Sequence, residues 1–447
     1  ILNLTINQGD TSYINITACD SVVWNGTTYD SSGTYSYSGA SIFSQLGQDI
    51  YGAYNDGSGG SVSLSGNSNR LAIGGNWNDG SGNNLLGHVR VYENNGSTWV
   101  QIGQDIDRVG ASEHSGSSIS LSNDGNILAI GSSLDNNGNG GYSGHVRVYF
   151  YDGNIWNQLG QDIDGEASGD QSGCSVSLSS DGNMLAIGAY GNNGNTGHVR
   201  IYNFNGSSWN QLGQDIDGEA SGDQSGCSVS LSSDGYMLAI GAYGNSGNGS
   251  SSGHVRVYNW SGTSWNQLGQ DIDGEAANDW TGRSVSLSGD GNIVAIGAYG
   301  NDANGNESGH VRIYEYITGV WIQLGQDIDG EAAGDYSGYS VSLSSDGNIV
   351  AIGAYRNDGN GSNSGHVRIY NYNGISWDQI GQDIDGEAAD DQSGASVSLS
   401  SDGSTVSIGA PQNDGNGSNS GHVRVYNLSA LTNTNGCDST AVLNLTI

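Results

Sequence analysis

The chain has 447 residues, of which 46 are acidic and 11 basic, giving a formal net charge of −35. Every basic residue is an arginine, and so acidic a surface repels phosphate backbones and anionic headgroups, which argues against nucleic acid or a membrane as partner. No apolar run is long enough for a membrane span, and 76 glycines with a single proline, Pro411, point to a chain of tight turns.

Residues 1–42 open on Ile1-Leu2-Asn3-Leu4-Thr5-Ile6, nearly repeated at residues 442–447. Residues 1–30 lack the charged start and apolar run of a signal peptide. The chain therefore reads as a segment of a longer protein of tandem modules. Residues 8–40 hold short alternating runs around Cys19 and Trp24-Asn25-Gly26-Thr27-Thr28-Tyr29, too little for a domain alone.

From Phe43 onward the sequence is periodic at about 56 residues, the range of propeller and solenoid units. Ser-Val-Ser-Leu begins at Ser61, Ser118 (with Ile119), Ser175, Ser228, Ser284, Ser340 and Ser396; His-Val-Arg begins at His88, His145, His198, His254, His310, His366 and His422. Gln-Asp-Ile places its acid at Asp49, Asp105, Asp162, Asp215, Asp271, Asp327 and Asp383. Each unit predicts four strands. In one unit, Val176 and Leu178 alternate with serines, Asp181-Gly182 forms a hairpin turn, and a strand follows around Leu185–Ala189. His198–Tyr202 and Trp209–Ile216 complete the set. Apolar faces oppose faces of Ser, Ala and Gly, as radially stacked sheets require, so the expected fold is all-β: a seven-bladed propeller over residues 43–428. Phe43–Ile50 matches the fourth strand of a unit, whereas the last unit stops after its third near Tyr426. The N-terminal strand should then complete the seventh blade and close the ring. Residues 429–447 end on an alternating strand, Ala441–Ile447.

The segment Gly338–Ala354, G-x-S-V-S-L-S-x-D-G-N-x-x-A-I-G-A, resembles the FG-GAP repeat of integrin α-chain propellers and bacterial surface proteins. The resemblance spans residues 43–428. It implies that the first strand lines the channel and that one rim carries the loops entering the first strand together with those between the second and third. In integrins that rim binds ligand. Calcium sites of that family lie in the first hairpin, but here the hairpin is Ser-Ser-Asp-Gly-Asn, so Asp181 and Asp234 should be turn residues. Residues 1–42 and 429–447 together resemble a short tandem β module of Bacteroidetes surface adhesins, which implies a β-sandwich-like host carrying the propeller as an insertion. A Cys19–Cys437 disulfide within that host is then expected, two free thiols being the alternative. Cys174 and Cys227 share one repeat position, and the identity of residues 156–182 with 209–235 explains this by duplication; whether they pair stays open.

Three candidate sites follow. The segment Asp-Ile-Asp-Gly-Glu-Ala-x-x-Asp offers hard oxygen ligands suited to Ca²⁺: Asp162, Asp164, Glu166 and Asp170; Asp215, Asp217, Glu219 and Asp223; Asp271, Asp273, Glu275 and Asp279. The competing reading is turn caps and ion pairs with the repeated arginines. Blade 1 breaks the pattern at Tyr51 and blade 2 at Arg108 and Val109, which confines any metal set to blades 3–7. The repeated His and Arg lie on separate sheets, and Arg200 is expected to make interblade ion pairs or bond loop carbonyls. Trp99, Trp156, Trp209, Trp265, Trp321 and Trp377, with Phe43, are expected to pack at the start of each outer strand.

Where blades differ, Trp280, Arg283, Tyr336, Tyr339, Tyr355 and Arg356, with Trp77 apart, offer aromatic and guanidinium groups suited to a glycan or protein ligand. Catalysis needs a unique, tuned constellation, whereas the polar motifs here are copied around a ring. The expected role is non-enzymatic: an extracellular, cell-surface adhesion module whose rim binds a polysaccharide or surface protein, with no certain cofactor. A structural spacer or filament unit is the alternative.

Overall fold

Each Ser-Val-Ser-Leu run alternates small polar with apolar side chains, and each is followed by a turn that forces the chain back on itself. The computed structural model describes residues 43–75, 87–107, 115–136 and 139–428, together with the backbone of five flanking strands. Blade 3 shows the repeated plan: Ser175–Leu178, Met184–Ala189, His198–Phe204, Trp209–Gln211 and Ile216–Asp217. The first three strands and the outer pair form one antiparallel sheet, and seven such sheets follow one another along the chain.

The two serines of each motif explain how the sheets become a ring. The second Ser of Ser-Val-Ser-Leu accepts a hydrogen bond from the backbone N–H of the Leu in the next blade, at all seven junctions and within 2.9–3.0 Å. The first Ser donates to a glycine carbonyl of the next blade, again seven times, at 2.7–2.8 Å. Beyond the Leu, backbone N–H groups of successive first hairpins donate around the axis, from Asn67 to Asn123 and onward until Ser401 returns to Gly66. The serines expected merely to alternate with core residues are thus what joins one inner strand to the next.

The cores lie between blades. Ala129, Val146, Val148 and Ile163 of blade 2 pack against Val176, Leu178, Leu185, Ile187, Tyr202 and Trp209 of blade 3. One sheet face is trimmed for its neighbour's backbone: a Cβ on Gly188 would meet the Gly226 carbonyl oxygen at 2.0 Å. That carbonyl is the acceptor for the Ser175 hydroxyl, so the glycine and the serine serve one close approach.

Blade 7 is completed by Phe43–Gln45 and Ile50–Tyr51, which pair with the third strand His422–Leu428. The outer strand is not continuous over Trp209–Ile216, as the sequence suggested, nor over Phe43–Ile50. Tyr202 pairs with Gln211 but Val199 with Ile216, so two extra residues bulge out between them, around Gly213 at φ +82°. The bulge frees a glutamine for the neighbouring blade. Gln161, for example, donates to the Trp209 carbonyl at 2.8 Å and accepts from its N–H at 3.1 Å, while the Trp209 indole N–H donates to the Leu159 carbonyl. The repeated tryptophans are 2–4% exposed.

Among the described residues the one helical segment is the turn Asn192–Asn195, broken by left-handed Asn193 and Gly194. A separate unit contains both chain ends. In it Ala441–Thr446 is the middle strand of a three-stranded sheet, parallel to Ser12–Thr17 and antiparallel to Gly33–Tyr37. Val22–Trp24 and Thr27–Tyr29 form a hairpin. Cys19, Cys437 and the proposed bridge between them lie outside the described residues.

Candidate functional site

The segment entering each first strand must leave the previous outer strand, cross to the next blade and turn inward. It does so through a residue in the left-handed region: Gln171, Gln224, Trp280, Tyr336 and Gln392 have φ of +54° to +58°. In that conformation the backbone N–H points back to the preceding blade, where Trp280 bonds the Ser251 carbonyl and Tyr336 the Glu307 carbonyl, both at 3.2 Å. A non-glycine residue is rarely held this way, and an aromatic one more rarely still. The scaffold therefore fixes two large rings at the rim.

All six rim residues of blades 5 and 6 singled out in the sequence meet there. Tyr299, at the end of the second strand of blade 5, is the hub: its ring lies 4.9 Å from Trp280, 5.4 Å from Tyr336 and 5.7 Å from Tyr339. Tyr355 stacks 4.3 Å from Tyr339, Arg283 lies over Tyr339 at 5.1 Å, and Arg356 lies over Tyr336 at 4.7 Å. The Tyr336 hydroxyl donates to Glu307 at 2.8 Å. A Cβ on Gly300 would meet the Asn278 carbonyl oxygen at 2.2 Å and the Trp280 ring at 2.6 Å, so backbone and indole both press on this glycine, where blade 6 has Arg356. In blade 3 the same rim position is Gln171, which accepts from Tyr190. Tyr299 was legible as the counterpart of Tyr355 in the repeat, but its central place was not. Trp77 lies outside the described residues.

The electrostatics single out the same patch. Arg70, Arg90, Arg147, Arg200, Arg256, Arg312, Arg368 and Arg424 each face a carboxylate within 2.9–3.8 Å. Among the described residues Arg283 and Arg356 have no such ion pair, and both lie against tyrosines of this patch. Burial pushes the Tyr299 hydroxyl up to about 12 despite the nearby Arg283, so it stays a donor. Arg356 is exposed; the rings of Trp280, Tyr336 and Tyr339 are half-buried. The arrangement can stack on a flat apolar face and hold an anionic group beside it.

The acidic segments are used differently from a shared oxygen shell. Asp170 is 2% exposed and accepts from the N–H groups of Glu166 and Ala167 at 3.1 and 2.8 Å, closing its own turn. Asp223 and Asp279 do the same for Ala220 and Ala276. Asp162 pairs with Arg147. The carbonyls of Asp164, Asp217 and Asp273 accept from Arg200, Arg256 and Arg312 of the following blade at 2.7–2.8 Å. Among the described residues the acids of one segment form no common donor cluster; Glu166, Glu219 and Glu275 instead join His198 and Asp215, His254 and Asp271, and His310 and Asp327 of the following blade. Separation in sequence hid this grouping, although its signal is visible: the Glu occurs only in the linkers leading into blades 3–7. In the first hairpin Asp181 accepts from the Ser179 hydroxyl and the Asn183 N–H, and Asp234 likewise from Ser232 and Tyr236.

Cys174 and Cys227 are unpaired. Each thiol donates to two carbonyls at 3.3–3.4 Å, and burial pushes the Cys174 thiol up to about 12, which makes it inert. At the other end of the inner strands the axis holds a cavity of about 150 Å³, lined by the seven leucines of Ser-Val-Ser-Leu and by small neutral residues such as Ser180 and Asn123. Among the described residues no acid, imidazole or thiol lines it.

The FG-GAP repeat family model matches residues 216–258, 272–314 and 328–370. No curated protein matches the sequence. Among solved structures the chain is similar to the Pseudomonas aeruginosa periplasmic gluconolactonase PpgL, at 16% identity and a TM-score of 0.51 over 74% of this chain and 85% of that one. At that identity the likeness is one of fold.

Proposed function

We propose, for a chain that carries FG-GAP repeats in a seven-bladed propeller, that it is an extracellular binding module whose blade 5–6 rim takes a polysaccharide. The observation that carries this reading is the meeting of Trp280, Tyr299, Tyr336, Tyr339 and Tyr355 with Arg283 and Arg356, the two described arginines without a carboxylate partner. Aromatic faces stack on the apolar faces of sugar rings, and guanidinium groups favour sugars bearing carboxylate or sulfate. On a protein of net charge −35, two unneutralised cations in one patch mark where an anion is welcome.

Adhesion at a cell surface follows if the flanking strands are part of a tandem module, the propeller being an insertion within it. A spacer or filament unit would instead act through end-to-end contacts between molecules. Ala441–Thr446 has both edges taken within its own chain and offers no ladder for such a contact. Nothing of the lactonase's activity is carried over from its fold.

A glycan array that includes uronic-acid and sulfated polysaccharides tests the reading. Binding by the intact chain should fall at least about tenfold in Trp280→Ala and in Arg356→Ala, as expected for central anchors worth more than 1.4 kcal/mol. No binding across the array, or binding unchanged in both variants, would sink the rim as a saccharide site. Capture of a surface protein instead, lost in the same variants, would move the ligand class to protein.

A further inference from the structure

The third strand of every blade starts with a buried histidine, which blade 2 treats in one way and blades 3–7 in another. In blade 2, His145 Nδ1 is satisfied directly by Asp135 at 2.7 Å. In blades 3–7 it is not. His310, His366 and His422 are 1% exposed, and their Nδ1 atoms have no hydrogen-bond partner. The carboxylates they face stand off: His310 Nδ1 lies 3.9 Å from Asp329, His366 Nδ1 lies 3.6 Å from Asp383 and 4.0 Å from Glu331, and His422 Nδ1 lies 3.7 Å from Glu387. Leaving a buried imidazole nitrogen unpaired is costly. In blades 3 and 4 the buried nitrogen without a partner is Nε2 instead, while Nδ1 of His198 and His254 stands 4.0 Å from Asp215 and Asp271.

The surroundings hold the two carboxylates in place. Arg368 bonds the Asp329 carbonyl across the blade junction and lies 3.8 Å from Glu331 Oε1, which leaves Oε2 toward the histidine. Gln379 donates to Asp383 Oδ1 at 2.7 Å, which leaves Oδ2 toward it. The same Gln-to-Asp bond recurs in blades 3, 4, 5 and 7 at 2.5–2.6 Å. One nitrogen and two oxygens thus lie within 4.8 Å of one another, in five copies. A nitrogen–oxygen gap of 3.6–4.0 Å is too long for a hydrogen bond. It is close to the edge of about 3.3 Å that two ligands make on a tetrahedral zinc with bonds near 2.0–2.1 Å.

We propose that each junction leading into blades 3–6 is a binding site for a divalent transition ion such as Zn²⁺, held by the repeated His, Asp and Glu, with water completing the shell. The imidazole favours such an ion over Ca²⁺, which takes oxygen ligands. The Glu comes from the linker of the preceding blade and the His and Asp from the blade itself, so the ion staples neighbours. Blade 7 carries a capped version, because the Tyr51 hydroxyl donates to the free oxygen of Asp49 at 2.9 Å. Blades 1 and 2 lack the Glu, with Ala53 and Val109 in the corresponding linkers.

The test is native mass spectrometry and calorimetry of the intact, chelator-stripped chain titrated with Zn²⁺ or Ca²⁺ alone. Four Zn²⁺ ions should bind with like affinity and a fifth more weakly. Glu331→Gln, at a side chain 46% exposed and so safe for folding, should lower the count by one. The four Glu→Gln changes in the linkers entering blades 3–6, at Glu166, Glu219, Glu275 and Glu331, should abolish the strong sites and the rise in melting temperature that Zn²⁺ gives the wild type. No strong Zn²⁺ binding, an unchanged count in the fourfold variant, or Ca²⁺ displacing Zn²⁺ at equal concentration would overturn the proposal.

Discussion

At the scale of single residues the ring depends on hydroxyl groups that a hydropathy scale would ignore. Ser230 Oγ accepts the Leu287 N–H at 3.0 Å, across a junction where the two inner strands belong to separate sheets and share no ladder. Ser230→Ala removes the acceptor and leaves a buried N–H unpaired. It should cost about 1–3 kcal/mol, read by urea unfolding, whereas a surface Ser→Ala should fall within about 0.5 kcal/mol. No measurable loss would mean that water takes the place of the hydroxyl. The rim residues obey the opposite logic. Trp280 and Tyr336 occupy a strained backbone conformation that the preceding blade imposes whichever side chain is present, since Gln171, Gln224 and Gln392 adopt it too. The scaffold sets the position, and the side chain there is free to vary with the ligand.

At the scale of the strand, the His-Val-Arg element is where stability meets pH. Burial, helped by the neighbouring arginine, pushes His310 and His422 down to about 4, and His366 moves the same way. Unfolded, these imidazoles titrate near 6.5. Above that pH they are neutral in both states and contribute no pH dependence. Between about 6.5 and 4 the unfolded chain binds more protons, so stability falls as pH falls. The turn carboxylates add to the trend lower down. For Asp181, burial raises the pKa, but the bonds from Ser179 and Asn183 outweigh it and leave it lowered, so its contribution is lost as it protonates. Denaturant midpoints taken from pH 8 to pH 4 should therefore be flat to about 6.5 and then decline. The decline should be smaller in a His310→Gln variant that still folds. A flat profile to pH 4 would show that the buried imidazoles take up protons at no cost.

At the scale of the whole molecule, closure does what no single blade can. The third strand of blade 7, His422–Leu428, is covered by strands from the other end of the chain, Phe43–Gln45 and Ile50–Tyr51. The last first-strand serine, Ser396, donates to the Gly59 carbonyl of blade 1. A chain starting after Tyr51 would expose that strand as an open edge. It should unfold in a broader transition and associate in solution, both visible by calorimetry and light scattering. A monomer with an unchanged transition would show that the closing strand is dispensable.

Repetition made much of this legible without coordinates. Seven copies of three short elements determined the blade count, the order of strands and the strand that closes the ring, because a periodic sequence must build a periodic structure. The same repetition flagged the blades that break it, and so the six rim residues around Trp280 and Tyr336 could be named in advance. Only the tertiary structure decided which groups face one another. Glu331, His366 and Asp383 are separated by 35 and 17 residues, and their meeting follows from how one blade's linker crosses the next sheet. The serines of Ser-Val-Ser-Leu looked like polar spacers because their partners lie a full blade away. A one-dimensional pattern records which face of a strand a residue takes, but the neighbour on that face is set by packing between blades.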